Sequence, residues 1–384
     1  MESIRRFFKA PHQSFFLLGP RGTGKSTWTL GEFEDPLRID LLDPETFRLY
    51  SAKPERLKEA VAASPQNQVF IIDEVQKIPS LLDVVHSVLE KDKGRKFVLT
   101  GSSARKLKKT GVDLLAGRAL MKTLHPFMAS ELGSHFHFQK ALKTGLIPLV
   151  WSGENQEEIL RTYLSLYLKE EVQMEGLVRN LGGFSRFLEA VSFSQASVIN
   201  TSNIARECQV ERKVVEGYLQ ILEDLLLSFR IPVFTKKSKR ELSSHPKFYF
   251  FDVGVFRSVR PKGPLDVTSD IDGLAVESLV AQHLRAWIGY RDRGEELFFW
   301  RTRSQVEVDF VIYGPDSFYA IEVKNSTRVR PEDLRGLISL QADYPQASCL
   351  FLYRGREKLK QKGILCLPCE DFLKNINPNQ PLMR

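Results

Sequence analysis

Short apolar runs set the rhythm of the first third of the chain. Residues 15–18 (FFLL), 37–42 (LRIDLL), 68–72 (QVFII) and 96–100 (KFVLT) each stand between polar or glycine-bearing segments. Continuous runs of this length suit strands buried on both faces, as in a parallel sheet covered by helices. The intervening pattern predicts helices over 54–63 and 81–91 (LLDVVHSVLEK), and a further strand over 119–124. Beyond residue 150 the period changes. Residues 157–175 carry Leu160, Leu164, Tyr167, Leu168 and Val172 near helical spacing. Residues 203–208, with Thr201-Ser202 as cap, and 211–226 predict two helices separated by a turn at Gln209-Val210. The second helix has Val214, Tyr218, Ile221, Leu222 and Leu225 on one face. Strands at 229–234 and 247–251 follow, then a helix at 274–287 and strands at 297–301, 306–312 and 318–323. The expected architecture is α/β, divided as 1–150 with a parallel sheet, 151–262 largely helical, and 263–384 again α/β.

Composition changes this picture little. The 384 residues are 42% hydrophobic and 27% charged, ordinary for globular domains with their own cores. No apolar run approaches the roughly 18 residues that would span a bilayer. The start, MESIRRFFKAPHQS, lacks a long apolar stretch with a small-residue cleavage site, so the expectation is a cytoplasmic protein away from membranes. The formal net charge of +8 suits an acidic polymer as partner, although an excess of Lys and Arg also arises as plain solvated surface. Four cysteines occur. Cys366-Leu-Pro-Cys369 has a metal or redox spacing, yet no second pair or nearby His completes a zinc site, so two strand-end thiols are expected.

Chemistry enters at the end of the first strand. Gly19-Pro20-Arg21-Gly22-Thr23-Gly24-Lys25-Ser26-Thr27 is G-x-x-x-x-G-K-[ST] between a strand and a helix. Glycines let backbone N–H groups curl round a phosphate, and the helix N-terminus adds partial positive charge. Lys25 would reach the β- and γ-phosphates of ATP, and Ser26 would ligate Mg²⁺. The third strand ends in Asp73-Glu74. At the carboxyl end of a strand beside such a loop, Asp73 would hold Mg²⁺ and Glu74 would orient or deprotonate the attacking water. Ser102, with Thr100 as alternate, follows the fourth strand, where a hydroxyl can touch the γ-phosphate or the lytic water; capping the next helix is the competing role. Arg118 precedes the next strand. There it either reaches a neighbouring subunit's nucleotide as an arginine finger, which requires an oligomer, or forms a structural ion pair.

The order P-loop, IIDE, LTGSS and AGR resembles the AAA-type ATPases of bacteria and archaea. More closely, DEVQKIP at 73–79, LLAGR at 114–118, the YLxxYLKEE stretch at 163–171 and KFYFFDVG at 247–254 resemble ATPases whose AAA core is fused to a C-terminal nuclease-like region. The resemblance covers most of the chain. It implies an oligomer, such as a hexameric ring, that binds ATP and Mg²⁺.

Two further modules carry expectations. The paired helices at 203–226 have helix–turn–helix spacing. With the two strands around Lys236-Lys237-Ser238-Lys239-Arg240 they make a winged helix. Arg212 and Lys213 would open its recognition helix toward DNA, while Glu211, Glu216, Glu223 and Asp224 favour a packing role instead. In the C-terminal domain, Asp309 followed by Glu322-Val323-Lys324 is the PD-(D/E)XK pattern of a restriction-endonuclease-like fold. Asp309 and Glu322 would bind Mg²⁺ or Mn²⁺, Glu277 would add a third acid, and Lys324 would steady or help deprotonate water or stabilise the scissile phosphate. A hairpin whose charges pair with one another is the alternative. The functional expectation is an ATP-driven oligomer acting on branched or broken DNA, with metal-dependent cleavage. Its rivals are an ATPase that binds DNA without cutting, and a nucleotide-gated switch with a protein target.

Overall fold

In the computed structural model, residues 4–103, 114–167, 172, 178, 180–236, 245–264 and 266–382 are described. The sequence also predicts a basic helix over 104–109; it, residues 237–240 of the basic tip and most of 168–175 lie outside them. Phe8–His125 with Asp224–Leu226 form one compact unit; Met1–Phe7, Pro126–Glu223 and Leu227–Arg384 form another. The packing thus divides the chain near residue 125, whereas the hydrophobic pattern suggested 150 and 262.

The first unit is an open parallel sheet. Strands β1 (Phe15–Leu18), β2 (Leu37–Asp40), β3 (Val69–Asp73), β4 (Lys96–Gly101) and β5 (Leu120–Thr123) stand in the order β2-β3-β4-β1-β5. All pairs are parallel, with Leu37 opposite Phe70, Val69 opposite Lys96, and Phe15 between Val98 and Leu120. Alternation sends Phe16, Leu18, Phe70, Ile72, Phe97 and Leu99 into one core, closed by helix α4 (Leu81–Lys91). There α4 contributes Leu81, Leu82, Val85 and Val88. On the other face Phe15 meets Trp28, ring centroids 6.3 Å apart, from helix α1 (Lys25–Glu32). Burying a Leu or Phe contributes about 1.5–3 kcal/mol each, so two covered faces hold the sheet without disulfides.

Between β2 and β3 two helices occur where the pattern predicted one. Helix α2 (Pro44–Ala52) precedes α3 (Arg56–Ala63). Asp43 caps α2 by accepting from Thr46 N at 2.8 Å, and Pro44 occupies the first helical turn, where its missing N–H costs nothing.

The second unit opens with short helices and α5 (Gln156–Tyr167). A helix–strand–helix–helix–strand–strand segment follows: α6 (Leu181–Ser192), β6 (Ser197–Val198), α7 (Thr201–Cys208), α8 (Arg212–Asp224), β7 (Ser228–Ile231) and β8 (Lys247–Phe250). Its three strands form an antiparallel sheet, β6-β8-β7. The cap of α7 is Asn200, one residue before the expected Thr201-Ser202: its Oδ1 accepts from Asn203 N at 3.0 Å. The buried face of α8 is Val215, Leu219, Ile221 and Leu222. Val214 and Tyr218 are only half-buried, with Tyr218 edge-on to Phe184 at 5.1 Å.

Helix α9 (Thr268–Arg291) leads into β9 (Glu296–Arg301), β10 (Glu307–Gly314), β11 (Ser317–Val323), α10 (Arg335–Asp343), β12 (Ser348–Tyr353), β13 (Leu359–Gln361), β14 (Ile364–Pro368) and α11 (Cys369–Asn375). The sheet order is β13-β14-β12-β11-β10-β9. β9, β10 and β11 are antiparallel neighbours; β12 runs parallel to β11. One core joins Ala275, Val276, Leu279 and Val280 of α9 to Phe310, Ile312 and Ile321 of the sheet and to Phe229 and Tyr249 of β7 and β8. The chain beyond β7 extends this junction: Phe234 N donates to Phe299 O at 2.7 Å, and Phe299 N to Pro232 O at 3.0 Å. Cys208, Cys349, Cys366 and Cys369 are buried free thiols, and burial pushes Cys369 up to about 12.

Candidate functional site

The nucleotide loop follows directly from β1. Gly19 passes so close beneath the chain after β5 that a Cβ on it would stand 2.6 Å from Leu124 O, so no side chain fits. Gly22 (φ 75°) and Gly24 (φ 86°) take the left-handed backbone that glycine adopts without Cβ strain. Thr23 Oγ1 closes the turn by donating to Pro20 O at 2.8 Å. Lys25 is buried, and its ammonium donates to Gly19 O (2.7 Å) and Pro20 O (3.2 Å). Pro20, Arg21, Gly22, Thr23, Gly24 and Lys25 therefore lie on one short arc, with Ser26 and Thr27 in the first turn of α1.

Sheet register brings the acids to the same edge. Leu17 pairs with Thr100 and Ile72 with Leu99, so the ends of β1, β3 and β4 lie side by side, and Gly19 N donates to Gly101 O at 3.3 Å. Asp73, the last residue of β3, is fully buried. Its Oδ1 accepts from Thr100 Oγ1, and its Oδ2 accepts from Arg38 Nη2 at 2.8 Å. Glu74 takes a left-handed backbone (φ 58°, ψ 46°), an uncommon conformation for a side chain with a Cβ. Its N–H donates to Thr100 Oγ1 at 3.1 Å. Its carboxylate accepts from Gln76 Nε2 and, at 3.5 Å, from Ser102 Oγ. Gln76 Nε2 also donates to Ser102 Oγ at 3.1 Å.

Thr100 and Ser102, offered as alternatives from the sequence, thus both belong to this network: one on Asp73, the other on Glu74. Arg38 and Gln76 were not singled out. Gln76 Oε1 is buried with no hydrogen-bond partner, an acceptor left open beside Glu74. Arg118, half-exposed after β4, pairs with Glu90 of α4 in its own chain.

A loop lysine, a helix N-terminus and two acids at one sheet edge fit Mg·ATP. Lys25 and the loop N–H groups would hold its phosphates, and Ser26 and Asp73 its metal.

The second collection of charge lies in the C-terminal sheet. Asp309 sits on β10 where the β9–β10 register shifts between Val308 and Val311. Its Oδ2 accepts from Val323 N at 2.9 Å, tying β10 to the end of β11. Glu322 on β11 accepts from Lys324 Nζ at 2.5 Å. Glu277 projects from α9. The structure therefore gathers Glu277 of the helix with Asp309, Glu322 and Lys324 of the sheet.

It also inserts a residue that sequence reasoning missed. Lys247, first residue of β8, is 2% exposed in its side chain. Its ammonium lies 2.5 Å from Glu307 Oε1, 3.1 Å from Glu277 Oε1 and 3.3 Å from Asp309 Oδ1. Two residues on, and so on the same face of β8, Tyr249 donates to Glu277 Oε1 at 2.7 Å.

Burial, then the Asp309 charge, raises Glu277 to about 7 against the opposing pull of Lys247. Burial, then Asp309, raises Glu322 to about 8 against Lys324. Burial by itself would lower Lys247; Glu277, Tyr249, Asp309 and Glu307 outweigh it and hold the ammonium well above its ordinary value. Four carboxyl groups (Glu277, Glu307, Asp309, Glu322) meet Lys247 and Lys324, and Glu307 also pairs with Arg301 at 3.4 Å.

Among the expected DNA-facing residues, Arg212 and Lys213 are exposed at the start of α8. Arg212 Nε pairs with Glu216 Oε1 at 2.9 Å. Lys236, the described end of the basic tip, pairs with Glu296 at 3.2 Å and lies 4.6 Å over the Tyr313 ring.

These features make the first unit a parallel α/β sheet carrying a P-loop sequence, and part of the chain is similar to a known family of that kind. Residues 11–133 match the family model of an AAA domain. Residues 135–266 match a domain of unknown function (DUF8612), and residues 272–372 another (DUF4143). Two mycobacterial proteins are similar over nearly the whole chain: "Uncharacterized protein Mb2031c" of Mycobacterium bovis and "Uncharacterized protein Rv2008c" of Mycobacterium tuberculosis. Each is 23% identical over 385 residues, covering 97% of this chain and 84% of the relative. Among solved structures, the Aeropyrum pernix ORC2 protein in its ADP form aligns with 71% of this chain and 89% of its own. Its identity is 11% and its TM-score 0.30, a likeness too loose to bear on function. No helix among the described residues is long and apolar enough to cross a membrane.

Proposed function

We propose that the chain is an oligomeric Mg²⁺-dependent ATPase that couples ATP hydrolysis to DNA binding. The observation that carries the ATPase reading is the meeting of the Lys25 loop with Asp73 and Glu74 at one edge of a single parallel sheet. In this reading magnesium supplies charge neutralisation at the phosphates. Lys25 exchanges loop carbonyls for phosphate oxygens. Glu74, its carboxylate oriented by Gln76 and Ser102, orients or deprotonates water. Arg118 acts in trans on a neighbour's nucleotide once released from Glu90.

DNA binding draws support from the net charge of +8, from the helix–strand–helix–helix–strand–strand order expected of a winged helix, and from the exposure of Arg212 and Lys213. The α9-β9-β10-β11-α10-β12 order and the gathering of Glu277, Asp309, Glu322 and Lys324 support a restriction-endonuclease-like fold for the C-terminal domain, with branched or broken DNA as its target.

A second reading, a nucleotide-gated switch with a protein target, is favoured by one contact: Glu216 already holds Arg212, and Glu211 stands beside it. The test is twofold. Lys25→Ala should abolish phosphate release from ATP. Binding of the full chain to plain and branched DNA should weaken steeply as salt rises, since phosphate contacts release counterions. Nucleotide turnover with no DNA binding at any salt would leave the switch.

A further inference from the structure

We propose that Lys247 supplies the cation of the C-terminal acid cluster, so that this nuclease-like site holds no divalent metal and does not cut DNA by metal-dependent chemistry. The proposal rests on the nuclease-like reading of the C-terminal domain only for where a metal would sit; the ATPase reading is independent of it.

A divalent ion in such a site is bridged by the carboxylates of neighbouring elements. In this chain the bridging position between α9 and β10 is filled by an ammonium. Lys247 Nζ contacts Glu277 Oε1 at 3.1 Å and Asp309 Oδ1 at 3.3 Å, and Glu307 Oε1 closes a third side at 2.5 Å. Other oxygens of the cluster are engaged as well. Asp309 Oδ2 accepts from Val323 N, Glu277 Oε1 also accepts from Tyr249, and Glu322 Oε1 accepts from Lys324. Only Glu322 Oε2 is buried without a partner, and one oxygen is no cage. Among the described residues no group of three His, Cys, Asp or Glu is arranged to hold a metal ion.

Nor is Lys247 a surface side chain that happens to fold inward. Its backbone pairs with Ile231 of β7, and the extension of β7 bonds to Phe299 of β9. Its ammonium lies 5.6 Å over the Phe299 ring, with Tyr249 fixed beside it. Withdrawing its ammonium would strip Glu277 and Asp309 of a counter-charge in a largely buried place. The ammonium therefore clamps β8, α9 and β10 together, the structural part of a metal's work, without offering an open coordination position to water or phosphate.

The test is Mn²⁺ binding by the full chain without nucleotide, read by electron paramagnetic resonance, together with plasmid nicking in Mn²⁺. Expected is no bound Mn²⁺ and no nicking that Asp309→Asn removes. In Lys247→Met, one Mn²⁺ per chain should bind, and Mn²⁺ should raise a melting temperature that it leaves unchanged in the native chain. Bound Mn²⁺ or nicking in the native chain that is lost in Asp309→Asn would overturn the proposal. A folded Lys247→Met protein indifferent to Mn²⁺ would also overturn it. If that variant does not fold, the native chain and Asp309→Asn decide alone. ATP turnover measured in the same preparations reports separately on the ATPase reading.

Discussion

The edge of the N-terminal sheet and the C-terminal acid cluster use the same side chains, a lysine with Asp and Glu at strand ends, to opposite effect. At the first, the contacts of Lys25 include two loop carbonyls, Gly19 O and Pro20 O. Bonds of that kind contribute about 1.5–3 kcal/mol each and are readily exchanged for phosphate oxygens. At the second, Lys247 rests on three carboxylates out of water. Removing such a partner costs about 3–5 kcal/mol because charge is left buried and unpaired. A lysine reaching the carbonyls of a glycine loop is placed to receive an anion; one held among several carboxylates completes a core. Residue type is therefore no guide to the role of a lysine in an acidic site. Its partners are.

The sharpest way to break this contrast is to remove the groups assigned to chemistry. Glu74→Gln should lower ATP turnover by about 10²–10⁴-fold with the fold intact. Steady-state phosphate release within a factor of two of the native chain would remove Glu74 from the reaction.

Next in size is the clamp. Lys247→Met should destabilise the unit that holds it by about 3–5 kcal/mol in urea unfolding, whereas Lys25→Met should change the stability of its own unit far less. Equal losses at the two lysines would erase the distinction.

A smaller effect is a dependence on pH. Glu277 and Glu322 have folded-state pKa values raised to about 7 and about 8 by burial and Asp309. Their folded forms bind more protons than the unfolded chain above about pH 4.5, so stability falls as pH rises through the folded values. Unfolding free energy of this unit should decline between about pH 5 and pH 8, and the slope should flatten in Glu277→Gln/Glu322→Gln. An unchanged slope would mean the two acids titrate normally.

Smallest is Arg38→Ala. The Arg38–Asp73 pair is partly solvated, and such pairs contribute up to about 1 kcal/mol. Freeing Asp73 should tighten Mg·ATP binding by at most about fivefold, measured by calorimetry; weaker binding would make Arg38 a positioning residue instead.

Much of the nucleotide edge was legible because it is local. A strand, two glycines needing positive φ, a lysine and an acidic strand end lie within one continuous pattern, and the parallel sheet brings them together by rule. Arg38 was hidden inside the apolar run 37–42, where a strand residue's partner depends on the neighbouring strand. Helix α2 was missed although Asp43-Pro44 is a helix-start signal, because its exposed face gives little apolar period. At the C-terminal cluster the acids were legible and the cation was not. Lys247 lies 62 residues before Asp309, at the head of a strand, where a lysine in sequence looks like solvated surface. Only the pairing of β7 with β8 and its bonding to β9 carries it inward.

The central claim is that the glycine loop, Lys25 and the acids at the end of β3 form a receptor for a magnesium nucleotide. Calorimetric titration of the full chain with Mg²⁺ and a slowly hydrolysed ATP analogue tests it most directly. The account predicts one nucleotide per chain, with binding lost in Lys25→Ala. Folded native protein that takes up no nucleotide at millimolar concentration, alone or assembled, would contradict it.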